Sequence, residues 1–172
     1  MSEGILLPPV PHGTLLSKPE RLARLAEALP QIRAVVSGED DAVAIQATLA
    51  CLLWETMTQT SWCGFYRRVG ERMLAVGPYR GTMGCLRIDF ARGVCGACAR
   101  TREVQLVSDV SKVADHIVCD DRTRSELVIP VLAGGELRAV LDLDSEDLDA
   151  FSREEADLLV PFLAEVFATA RF

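Results

Sequence analysis

Between Ser61 and Asp144 the hydrophobic pattern of the chain switches from helical spacing to short β-rich runs punctuated by glycine. The runs are Trp62 to Arg68, Arg72 to Val76, Cys85 to Ile88, Val104 to Leu106, Leu127 to Leu132 and Leu137 to Asp144. Val69-Gly70-Glu71 and Ala133-Gly134-Gly135 are the turns expected to join neighbouring runs as hairpins. A short helix around Gly96 to Thr101 interrupts them. Helical patterns flank this middle on both sides, so the prediction is an α+β fold with one antiparallel sheet and helices packed on one side.

The ends carry their own signals. An arm up to about Ser17 holds Pro8, Pro9, Pro11 and His12 and is expected to be irregular. Ser17-Lys-Pro-Glu20 has the form of a capping box, followed by Leu22, Leu25, Ala26 and Leu29 at helical spacing, and this helix is expected to end before Pro30. A second helix should start at Asp40 or Asp41 and run to about Met57. Apolar residues lie nearly all round it, which predicts a buried helix. Ser152 to Glu155 forms another capping box, opening a helix with Leu159, Phe162, Leu163 and Val166 on its face and Pro161 inside it. We divide the chain into an arm with first helix over 1–35 and a main unit over 36–172.

Length and composition set the class. The 172 residues, 49% of them hydrophobic, suit one domain with a real core. A net charge of −7 excludes a phosphate-binding surface of clustered Lys and Arg, hence no nucleic-acid partner is expected. Neither a secretory signal nor an apolar run of membrane-spanning length is apparent, so no membrane is expected and the six cysteines are placed in a reducing cytoplasm. Disulfides there tend to be transient and catalytic.

Strand alternation gives the first site. In Leu137 to Asp144, Leu137, Ala139, Leu141 and Leu143 point one way, while Arg138, Val140, Asp142 and Asp144 point the other. In the preceding strand Glu126 lies opposite to Leu127, Ile129 and Val131. If the two strands are hairpin partners, Glu126, Asp142 and Asp144 converge on one side of the sheet. Like charges brought together raise at least one carboxyl pKa unless a cation, such as a ligand ammonium or a metal, neutralises them. Pairing with Arg122, Arg124 or Arg138 on a solvated face is the plainer alternative. Trp62, Gly64 and Tyr66 share a face of the first strand and offer an aromatic wall.

The cysteines give the second. Cys119 stands in a polar stretch from Asp115 to Arg122, where Asp120 and Asp121 oppose thiolate formation and His116, Arg122 and Arg124 favour it. Cys51 and Cys63 are expected in the core. Cys95-Gly-Ala-Cys98 is a CxxC, a spacing shared by dithiol motifs and half zinc sites. With no second such pair among Cys63, Cys85, Cys119, His12 and His116, no metal is assigned.

Several segments in order resemble the free methionine-(R)-sulfoxide reductases, a GAF-domain family. They are Trp62 with Gly64-Phe65-Tyr66, Gly77-Pro78-Tyr79-Arg80-Gly81 leading to Cys85, Arg92-Gly93-Val94-Cys95-Gly96, His116-Ile117-Val118-Cys119-Asp120, Arg124-Ser125-Glu126 and Leu141-Asp142-Leu143-Asp144-Ser145. The resemblance covers roughly residues 36 to 168. It implies a single GAF-like domain, with a sheet of about six strands, helices on one face and the ligand pocket on the other. It also implies that Cys119 attacks the sulfoxide sulfur and that Cys85 or Cys95 condenses with the resulting sulfenic acid, the disulfide then being reduced by thioredoxin, with no cofactor. Glu126, Asp142 and Asp144 would hold the ammonium of free methionine sulfoxide and polarise its oxygen, and Trp62 and Tyr66 would receive its methyl end. Many members are dimers, with the first helix here a candidate contact surface. Cys98 departs from the pattern and is read as filling space. A GAF module that binds a small molecule or senses oxidant without turnover is the alternative, and the length, with no attached output domain, favours the enzyme.

Overall fold

The computed structural model describes residues 5–114, 117 and 119–172. Six strands form one antiparallel sheet: β1 Trp62–Arg68, β2 Met73–Gly81, β3 Arg87–Asp89, β4 Gln105–Val107, β5 Ser125–Ala133 and β6 Glu136–Ser145. Their spatial order is β3-β2-β1-β6-β5-β4, which puts the long strands β1 and β6 side by side in the middle. The helices are α1 Lys18–Val35, α2 Ala42–Thr56, α3 Gly93–Thr101 and α4 Arg153–Val166. Among the described residues no helix is long and apolar enough to cross a membrane.

Two apolar clusters lie on opposite faces of the sheet. Leu127, Ile129, Val131, Ala139, Leu141 and Leu143 face α1, α2 and α4, where they meet Leu29, Ile32, Leu49, Leu53, Leu159 and Phe162. Trp62, Tyr66, Val128 and Val140 face the other way and pack with Val94, Cys95, Cys98 and Ala99 of α3. Three helices therefore cover one face. The fourth, α3, closes part of the pocket face. Leu137 belongs to this second cluster rather than with Ala139, as alternation had it, because a bulge at Val131/Leu132 shifts the phase at the turn end of the β5–β6 hairpin.

Helix α1 does not stop at Pro30 but continues to Val35. Pro30 and Ala26 are exposed, so the carbonyl deprived of its N–H partner faces water while Leu29 and Ile32 still bury against the core. At its start the Ser17 N–H donates to Glu20 Oε2 at 3.0 Å, and Pro19 sits in the first turn where no N–H is needed. Helix α2 is capped by Asp41, whose Oδ1 accepts from the N–H groups of Val43 and Ala44 at 2.8 and 3.0 Å. It is buried on one side only: Ile45, Leu49 and Leu53 enter the core, whereas Val43 is 51% exposed. The arm docks along these helices. Leu6 N–H donates to Gln31 Oε1 at 2.7 Å, and His12 stacks on Trp54 with ring centroids 3.8 Å apart.

Candidate active site

Strand register assembles the floor of the pocket in rows. Trp62 of β1 pairs with Asp144 of β6, which pairs in turn with Glu126 of β5; one row along, Gly64 pairs with Asp142 and Asp142 with Val128. Residues two apart share a face, so Tyr66 follows Trp62 and Gly64 on the same side. Glu126 and Asp142 are each 5% exposed, and Asp144 is half-buried. The Trp62 and Tyr66 rings lie 5.4 Å apart, and Tyr79 stacks with its centroid 5.0 Å from that of Trp62. The wall is Trp62 and Tyr66, and the Tyr79 ring stacked on Trp62 was not foreseen.

The roof comes from α3 and two loops. In Cys95-Gly-Ala-Cys98 the glycine permits the packing: a Cβ on Gly96 would lie 2.5 Å from the Asp89 carbonyl oxygen. Cys95 is buried on the floor side of this helix. The first loop, residues 82–86, is drawn onto the aromatic wall, since a Cβ on Gly84 would stand 2.8 Å from the Tyr66 hydroxyl and 3.1 Å from Trp62. It carries Cys85. The second loop carries Cys119, which is exposed. Cys85 and Cys119 are joined in a disulfide, with Cα atoms 5.5 Å apart, that ties the two loops together at the pocket.

Burial dominates the electrostatics. Removal from water pushes Glu126, Asp142 and Asp144 well above the usual carboxylate range, and each is pushed further by a neighbouring carboxylate. Glu126 and Asp142 bring carboxylate oxygens within 4.8 Å of each other, so the charge of one raises the cost of ionising the other. The buried Asp142 Oδ1 has no hydrogen-bond partner among the described residues. Burial, and after it the charge of the neighbouring Asp142, raise the Cys95 thiol far above its ordinary value. Asp120 behaves oppositely. Hydrogen bonds from Arg122 and Thr82 hold its carboxyl below the usual range.

Most of the sequence-derived candidates come together. Trp62, Tyr66, Cys95, Cys119, Glu126, Asp142 and Asp144 line one pocket, and Cys85 bonds to Cys119 at its edge. Arg122 pairs with Asp120 and Glu146 instead of the floor carboxylates. Cys63 is in the core as expected, but Cys51 is half-buried on α2, with Arg80 Nη1 3.6 Å from its sulfur. Cys98 is a fully buried free thiol in the pocket-side cluster. Asp115, His116 and Val118 lie outside the described residues. Cys95, Glu126 and Asp142 offer ligand atoms within 4.8 Å of one another and are the described group that could hold a metal ion. Sequence reasoning missed Thr82, Ile117 and Thr123, which also line the pocket; they are ordinary loop residues whose position depends on two loops meeting.

This geometry has known counterparts. The GAF domain profile matches residues 41–170. The chain is 35% identical to free methionine-R-sulfoxide reductase of Escherichia coli over 142 residues, 81% of this chain and 86% of that one. It is 32% identical to the enzyme of the same name from Saccharomyces cerevisiae, across 87% of this chain and 86% of the yeast protein. Among solved structures, free methionine-R-sulfoxide reductase from Neisseria meningitidis in complex with its substrate superimposes with a TM-score of 0.81 at 36% identity, covering 92% of this chain and 93% of that one. With these relatives and this fold, the chain belongs to the GAF-domain family and, within it, to the free methionine-R-sulfoxide reductases.

Proposed function

We propose that this protein reduces free L-methionine-(R)-sulfoxide to methionine, with Cys119 as the attacking thiolate and Cys85 as the resolving thiol. The observation that carries this reading is the Cys85–Cys119 disulfide at a pocket floored by three carboxylates and walled by Trp62 and Tyr66. Cys119 attacks the sulfoxide sulfur, the oxygen passes to the cysteine as a sulfenic acid, and methionine leaves. Cys85 then condenses with the sulfenic acid and water departs. Cys119 is exposed, so a dithiol protein such as thioredoxin can reach the bond and reduce it. Such a cycle belongs in a reducing compartment, the cytoplasm.

The carboxylates supply recognition and a proton. Asp142 Oδ1, which has no hydrogen-bond partner among the described residues, and the crowding of Glu126 with Asp144 favour a cationic group, and a substrate ammonium is one. A carboxyl kept protonated by its neighbours donates to the sulfoxide oxygen as the S–O bond weakens. Peptide-bound methionine sulfoxide lacks the free ammonium and would leave the buried Asp142 Oδ1 unanswered, so the pocket selects the free amino acid. Pre-reduced protein mixed with free methionine sulfoxide without reductant tests the scheme. It should release one methionine per chain and lose two thiols; no methionine, or methionine without thiol loss, would overturn it.

A further inference from the structure

The resolving step, which rests on the reductase reading, needs two loops to stay in register while their disulfide is open. Cys119 sulfenic acid must meet the Cys85 thiol; the S–O bond breaks, the S–S bond forms, and the thiol proton leaves with the hydroxyl as water. The two cysteines are 34 residues apart and lie on separate loops. Loops that wander lower the effective concentration of one thiol at the other.

A second link spans the same loops. Thr82, three residues before Cys85, donates from Oγ1 to Asp120 Oδ2 at 2.7 Å, directly after Cys119. Each end is anchored. The Thr82 carbonyl accepts from Trp62 Nε1 at 3.1 Å, which fixes the first loop to the aromatic wall. Asp120 accepts from Arg122 N and Nε through Oδ1 at 3.0 and 3.1 Å and from Arg122 Nη2 through Oδ2 at 2.8 Å. Arg122 Nη1 reaches Glu146 Oε1, just beyond β6, at 3.2 Å. Both Asp120 oxygens are therefore engaged although the residue lines the pocket, which suits a clamp better than a substrate ligand.

We propose that Asp120 is a positioning residue: held by Arg122 and bonded to Thr82, it keeps the Cys119 loop over the Cys85 loop in the dithiol form, so that the disulfide closes readily. The link uses a charged acceptor, which makes it stronger than a neutral loop contact. Because it orders the loops before the S–S bond forms, it raises the tendency of the pair to oxidise.

Equilibration of the protein with graded reduced and oxidised glutathione, followed by alkylation and mass mapping of Cys85 and Cys119, tests the link without any sulfoxide. The result is thus separable from that of the reductase reading. Thr82→Val, which removes the hydroxyl and keeps the shape, and Asp120→Ala should each shift the equilibrium toward the dithiol about tenfold, or about 30 mV for this two-electron couple. Thr82→Ser should stay with the wild type. Both disrupting variants within twofold of the wild type, or Thr82→Ser shifting as far as Thr82→Val, would overturn the proposal.

Discussion

Glu126 on β5 and Asp144 on β6 are direct cross-strand partners on the pocket face, the arrangement in which like charges destabilise a sheet. With Asp142 buried beside them, each of the three carboxyls is harder to ionise than in water. The pH dependence follows. Unfolded carboxyls ionise near about pH 4, while the folded ones hold their protons well above that because burial and their neighbours raise them. Between the unfolded and folded values the native state binds more protons, so stability is full below the unfolded pKa and falls as pH rises through the folded one. Glu126→Gln should flatten that decline and stabilise the ligand-free protein by ~1 kcal/mol at pH 8, while lowering kcat/KM about 10- to 100-fold. Thermal melts from pH 4 to 9 check the first claim; a variant less stable at pH 8 with an unchanged slope would contradict it.

Cys85 and Cys95 separate by environment. Cys85 is bonded to Cys119, whereas Cys95 is a buried free thiol beside Asp142. Cys85→Ser should release about one methionine per chain and then stall, its steady-state rate down about 100-fold. Peptide mapping of the oxidised wild type should recover Cys85 with Cys119; recovery chiefly of Cys95 with Cys119 would reverse the assignment.

A buried ion pair joins α1 to α4. Arg21 Nε lies 3.1 Å from Glu155 Oε1, with side chains 8% and 1% exposed, and Glu155 also accepts from Ser152 N–H at 2.7 Å. Arg21→Met would leave that carboxylate without its counter-charge, at a cost of ~3 kcal/mol, or about 6–12 °C in Tm for a domain of this size. Activity at low temperature should persist, because Arg21 is remote from the pocket. Calorimetry and an assay at 20 °C read the two effects apart.

Gly84 is where the Cys85 loop meets the aromatic wall. Tyr66 is 2% exposed and cannot retreat from an added methyl, so Gly84→Ala should displace the loop instead. Turnover should fall about 10- to 100-fold with little change in Tm. A fully active variant would show that the loop tolerates the shift.

Much of the fold and of the floor was legible because strand alternation is a strict period. It placed Glu126, Asp142 and Asp144 on one face, and Trp62 with Tyr66 on one face of their own strand; the pairing of β1 with β6 is what makes the two faces one. The reading failed where local rules were overridden by packing: α1 runs through Pro30 because the proline faces water, and Leu137 changes face at a bulge. Cys51 looked like core but lies beside Arg80. The Tyr79 stack and the Thr82–Asp120 bond depend on approaches between distant segments, for which neither residue carries a local signal.

The central claim is stereospecific reduction of the free amino acid through Cys119. Mixed-configuration free methionine sulfoxide, supplied with thioredoxin, thioredoxin reductase and NADPH, measures it most directly. NADPH consumption should stop once about half the sulfoxide, the R form, is gone, and Cys119→Ser should abolish it. No consumption by the wild type, consumption of both forms, or an active Cys119→Ser would contradict the account.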